Sequence, residues 1–359
     1  MELRELEKTK EMWNLFLLAM TDFQKMDQNT IDSWFQIAGI HGMPWADWDG
    51  VHASTADRSL NTGYCTHNNL LFSTWHRPYL VLFEQKLQKI ATGIANKFPS
   101  ATRAKYQDAA KRLRLPFWDW AKNVPTTEPV VPTSLSVEKV SVTLSDGSSA
   151  QIDNPLYDYN FHPLDHTQIN GTFQQTIRAS QDFNDNATLD SRLRSILRFQ
   201  RADLFKILSQ YQKFDHFSSN AQCGENTGRL GSIESVHGPI HVKNFPGHMS
   251  PSSVTAFDPM FWFHHANVDR QVALYQAVFP TTYVGSCAAN TATWTIDVGD
   301  PLDGTSALTP FHKTAAGAFW TSNDVRDITK LGYTYPELVG NPPNATLVAS
   351  IKAQYSDAP

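Results

Sequence analysis

The sequence lacks three features that would each point to a class of function. It has no surplus of positive charge, with 30 Lys and Arg against 35 Asp and Glu, so we expect no nucleic-acid partner. No apolar run reaches the roughly 18 residues that cross a bilayer, so we expect no membrane span. It also lacks internal repeats and low-complexity tracts. The 359 residues are 41% hydrophobic, which predicts a globular protein with an ample core, and we expect one domain over residues 1–359.

Cysteine is scarce, with Cys65, Cys223 and Cys287, and an odd count leaves one over if the other two pair. We expect a disulfide between Cys223 and Cys287. Three glycosylation sequons begin at Asn170, Asn186 and Asn344. Together with a disulfide, they favour a secreted protein.

The N-terminal segment MELRELEKTK is charged and lacks the apolar core of a signal peptide. We expect secretion after removal of a signal, with an intracellular protein as the alternative.

Hydrophobic periodicity predicts a mainly α fold. Apolar residues share one face from Leu3 to Phe23, and a long helix is expected to open at Pro78 and run to Phe98. Further helices are expected over 100–113, about 187–213, about 230–242, and from near Asp258 through Phe279. A short hairpin is expected to turn at Asp146–Gly147, and the chain after about 281 is expected to form loops and strands.

The grouping of the histidines carries the chemical signal. His237 and His241 are four apart, so a helix would present both imidazoles on one face. The pair at 264 and 265 lies in another helical stretch. The sequence offers two sets of three: His41, His67 and His76, then His237, His241 and one of His264 and His265.

Three neutral imidazoles per metal suit Zn, Cu or Fe. The two sets lie about 160 residues apart, so they would meet only if helices pack together. We expect the remaining histidines to be solvated or hydrogen-bonded: His52, His162, His166, His216, His248 and His312.

Longer motifs make the pattern specific. YCTHNNLLFSTWHRPYLVLFEQ covers Tyr64 to Gln85, and DPMFWFHHANVDR covers Asp258 to Arg270. LPFWDW, HGPIH and a late YTY stand in order around them. The chain resembles the central domain of tyrosinases, catechol oxidases and molluscan haemocyanins, most of all the short fungal catechol oxidases. The resemblance implies a four-helix bundle core that holds two copper ions, with long loops and a few short strands.

The same resemblance implies the ligands. The first copper would take His41, His67 and His76, and the second His237, His241 and His265. His265 is chosen because three residues and then Asp269 follow it, and His264 is expected to point elsewhere. Cys65, two residues before His67, would form a thioether to that imidazole; a buried free thiol is the alternative.

Four further residues match positions around the substrate in this family. Glu234, three before His237, matches a glutamate thought to orient a water, and Phe261 matches an aromatic that packs over the site. Gly238 and Val242 each follow a second-site histidine. Several tyrosinases carry Asn at the first of these positions. Gly238 has no side-chain amide, and this favours diphenol oxidation. The loop 249–256 is expected to form part of the mouth.

The resulting expectation is dioxygen-dependent oxidation of catechols to ortho-quinones, with small phenols as partners. A tyrosinase that also hydroxylates monophenols is the nearest alternative, and a haemocyanin-like oxygen carrier is another. A di-zinc or di-iron hydrolase would usually include carboxylate ligands. About two dozen residues follow Tyr335, so no C-terminal capping domain is expected and the chain should be active without proteolysis.

Overall fold

The protein is mainly helical. The computed structural model describes residues 1–53, 63–169, 173–221, 223 and 231–356. The α-helices in these ranges are α1 (Leu3–Leu6), α2 (Lys10–Gln24), α3 (Trp34–Gly39), α4 (Phe72–Ala95), α5 (Ser100–Arg112), α6 (Asn186–Gln210), α7 (Phe214–Ser218), α8 (Ile233–Val242), α9 (Pro259–Val278) and α10 (Asn344–Tyr355). None of these helices is both long enough and apolar enough to cross a membrane.

The strands are short and pair in twos. They are β1 (Lys139–Thr143), β2 (Ser149–Asp153), β3 (Cys287–Ala288), β4 (Pro301–Leu302), β5 (Ala307–His312) and β6 (Phe319–Thr321), joined as antiparallel pairs in that order. The predicted hairpin is confirmed as β1–β2, with Gly147 at φ +91° in the turn. Only glycine adopts that backbone conformation at little cost.

Helix α9 is the centre of a bundle with α4, α6 and α8. It begins after Asp258, whose carboxylate accepts from the Met260 N–H at 2.8 Å, with Pro259 in the first turn. Eighteen of its 20 residues are buried. A helix buried on every side must place its polar residues against partners, and this explains why α9 carries histidines and charges into the core.

The expected start of α4 at Pro78 was wrong. The helix begins at Phe72, and Pro78 lies inside it. A proline costs its helix one hydrogen bond, but every residue from Phe72 to Leu80 is buried. Tertiary packing therefore stabilises this first turn and a half, which propensity alone would not.

The expectation of only loops and strands after residue 281 was also incomplete. Helix α10 follows near the C-terminus, with Leu347, Ile351 and Tyr355 buried four residues apart on one face. The Tyr355 hydroxyl donates to Asp119 Oδ2 at 3.0 Å and also contacts Arg270 and Gln271 of α9. This last helix thus seals one side of the bundle.

The expected disulfide is present. Cys223 and Cys287 are bonded, with their Cα atoms 5.2 Å apart, and Cys65 is a buried free cysteine. Of the three sequons, the one at Asn170 lies outside the described residues. Asn186 and Asn344 are the first residues of α6 and α10.

Candidate metal centre

Two clusters of histidines form inside the bundle. His41 follows α3, His67 precedes α4 and His76 lies in α4. The second cluster comes from two helices, with His237 and His241 one turn apart on α8 and the adjacent histidines on α9. In each cluster the potential ligand atoms lie within 4.8 Å of one another: His41, Cys65, His67 and His76 in the first, His237, His241, His264 and His265 in the second.

The two clusters touch each other. The rings of His76 and His265 stack with centroids 4.4 Å apart and planes 16° from parallel. The rings of His67 and His237 lie 6.1 Å apart across the same junction. Histidines 170 and 189 positions apart in sequence therefore lie together in one centre.

Burial keeps these imidazoles neutral. Loss of solvation lowers the pKa of His67 to about 4, that of His241 to about 4 and that of His76 to about 3. The same cause, with repulsion from neighbouring histidines, holds the pKa of His41, His237, His264 and His265 well below the usual value. The neutral ring is the form that binds a metal, so the clusters need no deprotonation at pH 7.

Backbone carbonyls fix the tautomer of four rings. The Nδ1–H groups donate to carbonyl oxygens, at 2.8 Å from His41 to Ser252, 2.7 Å from His76 to Phe72, 3.2 Å from His237 to Glu234 and 2.7 Å from His241 to Met249. With the proton on Nδ1, the Nε2 lone pair is available.

Among the described residues, Nε2 of His41 and Nε2 of His237 are buried without a hydrogen-bond partner. Buried polar atoms are rarely left so. The donor set therefore fits a metal ion in each cluster.

Cys65 lies against two histidines of the first cluster. Its Sγ is 3.5 Å from Nδ1 and 4.0 Å from Nε2 of His67, so it faces the ring edge between the two nitrogens. It is also 3.4 Å from Nε2 of His76. Burial raises the pKa of the Cys65 thiol well above its usual value, so the thiol stays protonated in the metal-free chain.

His264 was expected to point away from the centre, but its ring lies beside the second cluster. Its ring stacks on His237 at 5.0 Å, lies 4.8 Å from His241 and contacts Trp120 at 6.0 Å. Because α9 is enclosed on all sides, both adjacent histidines must face packed neighbours. The rings differ in their contacts: His265 stacks on His76 of the first cluster and therefore lies between the clusters, whereas His264 borders the second alone.

Glu234 joins two loops at the edge of the centre. Its Oε1 accepts from the Asn68 N–H at 2.6 Å and its Oε2 from the Asn220 N–H at 2.8 Å. Burial raises the pKa of this carboxyl to about 7, although the two amides act in the opposite direction. Asn68 directly follows His67, so Glu234 ties that histidine's loop to α8.

The other expected site residues lie where their positions in the helices put them. Phe261 is fully buried, with its ring 4.2 Å from His265 and 5.0 Å from His41, so it contacts both clusters. A Cβ added at Gly238 would meet nothing within 4 Å. Val242, at the end of α8, is 64% exposed. Open space thus begins next to the second cluster.

Sequence reasoning missed the backbone groups that hold the rings. The carbonyls of Ser252 and Met249 carry no side-chain signal, and neither does the role of Thr291, whose hydroxyl donates to the His67 carbonyl at 2.7 Å. Arg77 was also missed, although its position directly after His76 would have been a usable signal. Its guanidinium donates to Asp269 of α9 at 2.6 Å.

Two touching histidine clusters inside a helical bundle define a binuclear metal protein. A family model described as the common central domain of tyrosinase matches residues 31–278. The chain belongs to the tyrosinase family.

Individual relatives support this family assignment. The tyrosinase of Neurospora crassa is 40% identical over 354 residues, covering 94% of this chain and 52% of that protein. A structure of latent and active mushroom tyrosinase superimposes with a TM-score of 0.90 at 30% identity, covering 100% of this chain and 66% of the other. A copper-bound Aspergillus oryzae tyrosinase mutant complexed with L-tyrosine gives a TM-score of 0.80 at 25% identity, covering 96% and 91%. The chain spans 52% of the length of the Neurospora crassa tyrosinase and 61% of that of the Podospora anserina tyrosinase.

Proposed function

We propose that the chain is a copper oxidase that converts catechols to ortho-quinones with dioxygen. The observation that carries the proposal is the contact between the two neutral histidine clusters, with His76 and His265 stacked at 4.4 Å. The first ion would be held by His41, His67 and His76. The second would be held by His237, His241 and His265.

The donor set favours copper over other metals. Among the described residues, the clusters contain imidazoles and one thiol but no carboxylate. Zinc hydrolase sites and non-haem iron sites commonly include an Asp or Glu ligand. The copper-bound Aspergillus oryzae tyrosinase, which shares the fold, supports the same choice.

The copper pair, when bound, supplies the exchange of electrons with dioxygen. Two catechol molecules each give up two electrons and two protons to one dioxygen, yielding two quinones and two waters. The chain's own part is to orient the imidazoles, to exclude bulk water and to accept protons. Phe261, packed against His41 and His265, supplies a dry wall between the clusters.

Glu234 is the proposed proton acceptor. Each of its oxygens takes one backbone N–H, which leaves further lone pairs for a water molecule. Its pKa, raised to about 7 by burial in the metal-free chain, would fall again beside two cations. The ionised carboxylate could then accept a catechol proton through that water.

The surroundings of the second cluster favour diphenols. Gly238 offers no side-chain amide to help deprotonate a monophenol, and the open space at its Cα leaves room for a substituted ring. Exposed Val242 would line the entrance on the same helix. A tyrosinase with added monophenol hydroxylation is the second candidate, favoured by the names of the relatives.

An oxygen electrode and quinone absorbance test the proposal together. The copper-loaded chain should consume dioxygen with catechol in a ratio of two quinones per dioxygen, and His76→Ala and His237→Ala should each abolish turnover. Catechol turnover without hydroxylation of a monophenol supports a catechol oxidase, and hydroxylation supports the tyrosinase. A chain that binds two copper ions yet leaves catechol unchanged contradicts the proposal.

A further inference from the structure

One loop reaches a histidine in each cluster. The loop Met249–Thr255 lies between α8 and α9, and its Ser252 carbonyl accepts from Nδ1 of His41 in the first cluster at 2.8 Å. Three residues earlier, its Met249 carbonyl accepts from Nδ1 of His241 in the second cluster at 2.7 Å. A single short segment thus sets the tautomer and the direction of two rings.

The second contact is reinforced by a buried hydroxyl. Thr255 Oγ1 lies 3.1 Å from Nδ1 of His241 and donates its own proton to the Met249 carbonyl at 3.0 Å. Thr255 is 1% exposed, so water cannot replace this hydroxyl. The imidazole N–H, the hydroxyl and the carbonyl therefore form a closed set of hydrogen bonds.

The loop is anchored rather than free. The Met43 N–H, two residues after His41, donates to the Ser253 carbonyl at 2.8 Å. Gly42 approaches the same residue so closely that a Cβ there would lie 2.7 Å from the Ser253 carbonyl carbon. Met249 is fully buried and Val254 nearly so. These contacts fix the loop against the segment that carries His41.

We propose that the loop Met249–Thr255 is a positioning strap that orients one imidazole of each cluster, and so sets the geometry of both metal sites. The inference rests on the proposed function only for the identity of the metal. Outer hydrogen bonds of this kind align a ligand's lone pair with its ion, and their loss commonly weakens metal affinity about 10–100-fold. Thr255 and Gly42 act through the histidines and do not touch the substrate.

Thr255 gives the sharper test. Thr255→Val keeps the shape and removes the hydroxyl, whereas Thr255→Ser keeps the hydroxyl. Cu²⁺ is titrated into each metal-free variant against a competing chelator, with the melting temperature as a check on folding. We expect Thr255→Val to bind one of its two ions about 10–100-fold more weakly and Thr255→Ser to bind both ions as the wild type does.

Gly42 tests the other end of the strap. Gly42→Ala must displace Ser253, and we expect weaker binding at the His41 site. Gly93→Ala is the matched control, because a Cβ at this exposed position of α4 meets nothing within 4 Å, and it should bind copper as the wild type does.

The outcomes separate the two proposals. A folded Thr255→Val with wild-type affinity for both ions would overturn the strap and leave the oxidase proposal intact. If Thr255→Val binds copper more weakly as expected but the wild-type chain turns over no catechol, the strap is supported and the proposed function is overturned.

Discussion

Arg77 and Asp269 join the two helices that carry the touching histidines. Arg77 follows His76 on α4, Asp269 lies one turn beyond His265 on α9, and their Nε and Oδ1 atoms are 2.6 Å apart with both side chains buried. Asp269 Oδ2 also accepts from the hydroxyls of Tyr333 and Tyr335, at 2.7 and 2.6 Å. The ion pair therefore links α4 to α9 close to the two histidines through which the clusters touch.

Asp269→Asn should lower the free energy of unfolding by about 3–5 kcal/mol, because it leaves the buried Arg77 charge without a counter-ion. Urea denaturation of the metal-free chain measures it. Asp153→Asn is the control, since its pair with Lys139 is exposed and such pairs contribute about 1 kcal/mol or less. An equal loss of stability in the two variants would contradict the stabilising role of the Arg77–Asp269 ion pair.

His264 and His265 offer a matched pair for the choice of ligand, because both are fully buried on the same helix. We expect His265→Ala to retain one tightly bound copper and His264→Ala to retain two, since the His265 ring lies between the clusters. Elemental analysis after dialysis gives the stoichiometry. The reverse result would move the ligand to His264.

Cys65 should become joined to His67 by a thioether once the chain has been exposed to copper and dioxygen. Dioxygen would take up the two hydrogens that the thiol and the imidazole lose. The peptide carrying both residues should then weigh two hydrogens less and resist alkylation under denaturing conditions. Protein prepared without copper is the control and should give an alkylatable Cys65. A free thiol in fully active enzyme would disprove the bond.

The metal-free chain should be sensitive to acid. Burial lowers the pKa of His76 to about 3, so between pH 6.5 and about 3 the unfolded state binds a proton here that the folded state does not. Each such histidine removes about 1.4 kcal/mol of stability per pH unit on acidification. His76→Gln should reduce that slope by one proton, as measured by urea denaturation at pH 6, 5 and 4. Gln85→Ala, at an exposed position of α4 that carries no titratable group, should leave the slope unchanged.

Gly238→Asn should raise the rate of monophenol hydroxylation relative to catechol oxidation, since it supplies an amide beside His237. A Cβ added at this position meets nothing within 4 Å, so the new side chain begins in open space. Gly238→Leu matches the size without the amide and should not raise the ratio. Oxygen uptake with a matched monophenol and catechol measures both rates. A ratio that rises equally in the two variants would point to bulk rather than to the amide.

The helices and the histidine clusters were predictable because both leave a mark in sequence. The four-residue spacing of His237 and His241 places both side chains on one face of α8. Spacing alone offered two sets of histidines, and the longer motifs selected their members. The start of α4 was not predictable, since its first turns depend on burial against the rest of the core rather than on the residues around Pro78.

The placement of His264 and the strap could not be read from sequence for a different reason. Which way a ring turns on a fully enclosed helix depends on every neighbour, including Trp120 from a distant segment. The strap acts through carbonyl oxygens, which every residue possesses, so nothing distinguishes Ser252 or Met249 before the chain is folded. Helix α10, by contrast, had a readable period at Leu347, Ile351 and Tyr355.

The hydrogen bond from His41 to Ser252 spans 211 residues of chain. Contacts so distant in sequence form late, because a long loop must close before they contribute. During synthesis the three histidines of the first cluster emerge well before the carbonyl that orients one of them. We therefore expect the centre to be completed only when most of the chain has folded, so that copper enters a nearly finished protein instead of guiding its folding from the N-terminal half.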